Sequence, residues 1–203
     1  MRRKILYGKM VVLVPFQDRD LDYFKFLLEH DGKAIWKAAY RDFAHYMAET
    51  AANILEGRMI VWTALSNEGR ASKPIGFILA EPISENTVMI HGMSDKRILH
   101  GLRDKLEKGK QTFAEDSLRT VVDHLFESFH KIEAHVLSEN RTARKLLEKS
   151  GFQKEGIAKE TARLDGKFVD FVLYGLVNKN ELISVPEEEP QNGKEIEATV
   201  ATC

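Results

Sequence analysis

The chain alternates between two hydrophobic rhythms. "KMVVLVPF" (residues 9–16) is a β-branched apolar run closed by proline, and "QDRDLDYFKFLLEHDG" then places Leu21, Phe24, Leu27 and Leu28 at helical spacing, with Asp18 or Asp20 as the cap. A second helical stretch over roughly 40–56 sets Phe43, Tyr46, Met47 and Ile54 on one side and stops at Gly57. "MIVWTALS" (59–66), "KPIGFILAEPI" (73–83) and "NTVMIHGM" (86–93) read as strands separated by turn-rich segments, which predicts an antiparallel meander.

From residue 113 to 129 the apolar positions Phe113, Ala114, Leu118, Val121, Val122, Leu125, Phe126 and Phe129 recur at three and four, the wide stripe of a helix facing a core. Thr112 and Glu115 have the spacing of a capping box, in which each side chain satisfies a free backbone donor of the other residue. "KIEAHVL" (131–137) alternates as a strand, residues 139–152 form a helix closed by Gly151, and two long strands flank an Asp165-Gly166 turn. A strand, helix, strand unit pairs its strands in parallel, so the sheet is expected to be mixed. The fold class is α/β in the α+β sense: a mostly antiparallel sheet flanked by helices.

Composition refines this picture at the ends. Of 203 residues, 43% are apolar, enough to bury one core. The 30 basic and 31 acidic residues nearly cancel, but residues 186–203 hold Glu187, Glu188, Glu189, Glu195 and Glu197 against Lys194 alone. That segment has no aromatic residue and reads as a disordered acidic tail on a single domain spanning 1–185. The body then carries about +3, too little to suggest nucleic-acid binding and suited to small anionic ligands. Cys203 is the only cysteine, so internal disulfides are excluded. With neither a cleavable leader pattern nor a membrane-length apolar run, the expected location is cytoplasmic.

Chemistry enters with "HKIEAHVLSENRTARKLLEKSGFQKEGIAKETARLDGKFVDFVLYGL" (130–176). The strand ending in Glu139-Asn140, the helix running into "EKSGF", Glu155-Gly156, Asp165-Gly166 and the Asp170/Tyr174 pair together resemble the GNAT superfamily of acetyl-coenzyme A dependent N-acetyltransferases. The branch it resembles includes the ribosomal-protein N-terminal (RimJ/RimL-like) acetyltransferases, and the likeness runs over roughly residues 7–178. It implies a central strand pair that splays apart, before residue 92 and at 131–137, to admit the pantetheine arm of acetyl-CoA. It also implies a pyrophosphate held on backbone N–H groups at the start of the helix at 113, where free donors and the helix dipole favour an anion.

The family loop is Q/R-x-x-G-x-G/A, and here Gly109, Thr112 and Ala114 fall in the signature positions, so two of the three are altered. The expected cofactor contacts are Lys110, Gln111, Thr112, Phe113, Ala114 and Asn140, the last by its match to a family position. Lys108 and Lys110 offset phosphate charge, while Glu115 and Asp116 are expected to oppose it. The acids that the resemblance implies fall on Ala143, Ala162, Leu146 and Leu147, which cannot donate a proton. Glu81 and Glu160 are the substitute bases; Glu133 and His135, sharing one strand face, and His91 and His100, flanking a 92–110 insertion, are further candidates. Each has a plainer reading: strand-end glutamates are usually solvated, and alternate polar residues usually mark the wet side of a sheet. No cysteine or histidine spacing suggests a metal.

Two functions follow. One is an acetyl-CoA-dependent N-acetyltransferase acting by direct transfer on a protein N-terminus or small-molecule amine, with the acceptor pocket drawn from residues 30–57 and 92–110. The other is a catalytically inactive GNAT-fold protein that binds a partner or small ligand through the same cleft. No membrane or nucleic-acid partner is expected, and a homodimer stays open.

Overall fold

The apolar alternation and the helical stripes resolve, in the computed structural model, into one sheet with helices on both faces. The structure describes residues 4–30, 42–67, 74–98 and 111–179. The strands are β1 (Leu6–Tyr7), β2 (Val11–Pro15), β3 (Ile60–Ser66), β4 (Pro74–Pro82), β5 (Thr87–Ser94), β6 (Lys131–Leu137), β7 (Gln153–Leu164) and β8 (Lys167–Val177). They lie in the order β1-β2-β3-β4-β5-β6-β8-β7. The helices framing the sheet are α1 (Leu21–His30), α2 (Phe43–Leu55), α3 (Phe113–Leu125) and α4 (Arg141–Lys149).

Strand periodicity divides the core in two. Val11 and Leu13 of β2, Ile60 and Trp62 of β3, Ile78 and Ala80 of β4, Val88 and Ile90 of β5, and Ile132 and Ala134 of β6 pack with Phe113, Leu118, Val121 and Leu125 of α3 and Leu147 of α4. The opposite face sets Val61, Phe77, Leu79 and Met93 against Phe24, Leu27 and Leu28 of α1 and Tyr46 of α2. Trp62 is fully buried and donates its indole N–H to the Lys4 carbonyl, 3.2 Å, so it packs as core.

Most expected elements stand where periodicity put them, with physical reasons for the differences. Ahead of α1 the chain makes a single 3-10 turn, Asp18–Asp20. The Asp20 carboxylate accepts from the Gln17 N–H at 3.0 Å and the Thr63 hydroxyl at 2.8 Å, so it bolts the turn to β3 as well as capping locally. The β7–β8 hairpin closes through Asp165 (φ 46°) and Gly166 (φ 85°), both left-handed, as a tight turn of this twist requires. Strand β7 is interrupted by register shifts at Lys154/Gly156 and Ala158/Ala162, so its side chains do not alternate throughout. Lys110, His100, most of the insertion and the acidic tail lie outside the described residues.

Asp95, one residue past β5, is buried beneath the point where the insertion begins. Its carboxylate accepts from the Arg97 guanidinium (2.6 Å), the Tyr23 hydroxyl of α1 (3.0 Å) and the N–H groups of Arg97 and Ile98. The Arg97 hydrogen bond leads in holding its pKa at about 2, below 3.8, against the opposing effect of burial. A depressed carboxylate stabilises the fold fully above its unfolded pKa and loses that contribution as pH falls through the folded value. We expect Asp95→Asn to lower stability by about 2 kcal/mol at pH 7 and the wild-type advantage to shrink between about pH 4 and about 2. Urea denaturation of both proteins across that range checks it; a pH-independent gap contradicts the assignment.

Candidate functional site

The sheet contains a fork. Strand β5 is paired with β4 from Gly76↔Ser94 to Pro82↔Val88, and β6 with β8 from Lys131↔Val177 to Leu137↔Phe171. Between β5 and β6 the pairing is parallel and covers only Thr87↔Lys131, Val88↔Ile132 and Met89↔Glu133. Beyond Met89 and Glu133 the strands part, leaving residues 90–94 and 134–137 with inner-edge main-chain groups that no strand pairs. An extended chain can add there as a strand would.

The start of α3 packs against the beginning of β2 and the end of α4. Thr112 is its N-cap: the hydroxyl accepts from Glu115 N–H (3.2 Å), and the Glu115 carboxylate accepts from Thr112 N–H (3.0 Å). Two of the first-turn donors are thereby used. The N–H groups of Phe113 and Ala114 have no acceptor among the described residues, as the first turn of a helix leaves them. Gln111 borders the same turn, in a cavity of about 390 Å³ also lined by Glu115, Arg119, Val122, Lys149 and Ser150.

The expectation that Glu115 and Asp116 oppose an anion here needs correction for both. Glu115 is clasped by Lys149 of α4 at 2.6 Å. Burial pushes its carboxyl up, but the Lys149 ammonium and the Thr112 N–H outweigh that and hold it below the usual value. Asp116 is fully buried and turned the other way: it accepts from Met10 N–H (2.7 Å) and Val11 N–H (3.2 Å), anchoring α3 to the start of β2. Neither is a free charge facing the first turn. Lys149 and Arg119 line the cavity beside it; Arg119 follows from helical spacing, whereas Lys149 comes from another helix, which local pattern could not reveal.

Asn140 stands just past the end of β6, as N-cap of α4, its Oδ1 accepting from Ala143 N–H at 3.1 Å. Its turn is pinned from behind. Arg144 donates to the Ser138 carbonyl (3.1 Å) and to the Tyr174 hydroxyl (3.3 Å), and that hydroxyl donates to Glu148 at 2.6 Å. Burial and the Glu148 bond together raise the Tyr174 pKa, so the phenol stays protonated. Tyr174 thus serves as a rigid post between β8 and α4.

The two carboxylates singled out as bases fall in different places. Glu81 stands on the α1/α2 face of β4, in the row Glu81↔Met89↔Glu133, one strand from the fork and near enough to the buried Tyr46 to raise its pKa, after burial itself. Glu160 stands on the edge strand β7, beyond β8, exposed and left-handed (φ 51°), with its N–H bound to Asp170 at 2.8 Å. It lies in the bulge between Ala158 and Ala162, so the rule of alternation that put it on the face of Ala162 does not hold there. The fold does not bring the two together.

Nearer the fork, on the same face as Glu81, are His91 of β5 and Glu133 and His135 of β6. Glu133 accepts from Lys131 (2.8 Å), which also binds Glu155 (2.8 Å). The Glu155 carboxylate lies over Gly175, where a Cβ would collide with it. Among the described residues no cluster of histidine, cysteine and carboxylate groups could hold a metal, and no helix is long and apolar enough to cross a membrane.

Known proteins share this architecture. Over 95 residues the chain is 33% identical to the Bacillus subtilis protein named Probable N-acetyltransferase YjcK, covering 46% of this chain and 52% of that one. It is 32% identical over 69 residues to the Uncharacterized N-acetyltransferase p20 of Bacillus licheniformis, covering 33% of this chain and 39% of that one. The chain therefore matches about half the length, or less, of these curated relatives. Among solved structures, Mycobacterium smegmatis RimJ in complex with CoA-disulfide superposes with a TM-score of 0.65 at 20% identity, over 89% of this chain and 88% of that one. The spermidine N-acetyltransferase of Vibrio cholerae, in complex with CoA and spermine, does so with 0.65 at 19%, over 84% and 96%. At such identities the likeness is one of fold. Residues 11–153 match the Acetyltransferase (GNAT) domain, and with most of the chain covered the protein belongs to the GNAT acetyltransferase family.

Proposed function

We propose that the protein transfers an acetyl group from acetyl-CoA to an amine, by direct attack of the amine on the thioester. The observation that carries this reading is the fork: two strands held together by three residue pairs and then open, with unpaired main-chain groups on both lips. The pantetheine arm is an extended, amide-bearing chain, and it fits such a gap by the hydrogen bonding a strand would use. Phe113 and Ala114 offer their N–H groups to the pyrophosphate at the positive end of α3. Thr112 keeps the first turn formed, Gln111 borders it, and Asn140 is left with its amide NH₂ to donate, since only its Oδ1 is engaged by α4. Lys149 offsets the Glu115 charge there, and Arg119 adds positive charge beside the cradle.

The chemistry asks for a neutral amine, a group to take its proton, and a donor for the departing thiolate. Of the two carboxylates read from the sequence, Glu81 is the one whose position on the α1/α2 face suits an amine arriving from that side. Its charge, with those of Glu133 and Glu155, outweighs the single Lys131 and favours a cationic acceptor. Both a protein N-terminus and a polyamine meet that description, and the Vibrio cholerae neighbour carries a polyamine in its name.

Calorimetric titration with acetyl-CoA tests the reading. We expect micromolar binding by the wild type and a loss of at least about tenfold in Thr112→Glu, which sets a carboxylate where phosphate would approach. No heat at millimolar ligand would leave a binding protein without transferase activity. A second expected outcome concerns Asn140. Asn140→Ala loses about 1 kcal/mol of stability as a lost cap and also weakens acetyl-CoA binding; a lower melting temperature with unchanged affinity would reduce Asn140 to its cap.

A further inference from the structure

The register of the fork decides which side chains border its opening. The last parallel pair is Met89↔Glu133, and side chains alternate along a strand. The next residues on the α1/α2 face are therefore His91 on β5 and His135 on β6, one on each lip. His91 is paired in the ladder with Leu79 of β4 and His135 with Leu173 of β8, so each ring is carried by a strand fixed along its outer edge. Among the described residues, no other position on this face brings one titratable ring from each half of the sheet to the mouth of the gap.

The surroundings distinguish the two rings. Around them on the same face stand Glu81 of β4, Glu133 and Lys131 of β6, Glu155 of β7 and Tyr46 of α2. His135 is about one-third exposed, with Nε2 3.9 Å from the Glu133 carboxylate. His91 retains only part of its surface; burial foremost, and then the proximity of His135, lowers its pKa to about 4. Its imidazole is neutral at physiological pH, with a lone pair available.

We propose that His91 is the proton acceptor for the attacking amine and that His135, beside Glu133, is a positioning residue across the gap. This rests on the reading of the chain as an acetyltransferase. In the step, the amine lone pair forms the C–N bond and the thioester C–S bond breaks, its electron pair leaving on sulfur. The nitrogen proton passes to the free imidazole nitrogen of His91, and the thiolate takes up a proton from solvent. A weakly basic imidazole suffices, because nitrogen becomes far more acidic once it has bonded to the acyl carbon.

The test uses the full chain, with ¹⁵N-labelled histidine and backbone, as wild type, His91→Gln and His135→Gln. The variants assign the ring signals. Adding acetyl-CoA shifts the His91 and His135 rings, and by a different amount from CoA, while His124 and His130 stay put. In the same samples, with spermidine as probe amine, thiol release falls about a hundredfold in His91→Gln at unchanged acetyl-CoA affinity. In His135→Gln, the rise in KM for spermidine exceeds the fall in kcat. Unmoved His91 signals alongside shifted amides of Phe113 and Ala114 would overturn this inference while leaving the proposed function standing. Equal thiol release in wild type and His91→Gln, whether fast or absent, would overturn it too. If no signal responds to acetyl-CoA at all, the proposed function fails first.

Discussion

A three-residue seam governs this molecule. Strand β5 is laddered along its length to β4 and β6 along its length to β8, while the ladder that joins the two half-sheets covers only Thr87 to Met89 against Lys131 to Glu133. Past the seam, each strand keeps one satisfied edge and one unsatisfied edge. Main-chain donors and acceptors left in that condition need water or a ligand. The outer edges are paired along their length, so each inner edge is carried by a strand held from its other side. The opening is thus a property of the whole sheet.

The helices set the electrostatics around the start of α3. The first turn of α3 carries two acids, which would spoil an anion site if both faced it. Asp116 is committed instead to two N–H groups at the start of β2, and Glu115 is paired with Lys149 while capping its own helix. The site loses the repulsion and keeps two unpaired donors. At the far lip, the Arg144, Tyr174 and Glu148 hydrogen bonds fix the turn that ends in Asn140. Part-buried bonds of this kind define geometry more than they add stability.

Local chemistry was legible in the sequence where its cause was local. The Thr112/Glu115 capping box, the Asp165-Gly166 turn and the meander of β3, β4 and β5 all arise from spacing of a few residues, and the structure contains each. What could not be read depends on contacts between distant segments. A bulge at Glu160 breaks the alternation on which its assignment to a face relied. Glu115 and Lys149 are 34 residues apart, so the pairing that neutralises the first turn had no local sign. Likewise the juxtaposition of His91 and His135 follows from the parallel register of β5 and β6, which alternation within either strand leaves undetermined. Asn140 caps α4, as a residue of its type at a helix start can, and its bond to Ala143 accounts for one half of its side chain only.

Hydrogen exchange followed by mass spectrometry, with and without saturating acetyl-CoA, addresses the fork directly. If the gap receives an extended chain as a strand would, exchange slows in peptides covering residues 90–94 and 134–137 and at the start of α3. The outer strands β1 and β7 should be unaffected. Protection confined to α3, or none in the two lips while the ligand is bound, would contradict the claim that the parted strands are the binding site.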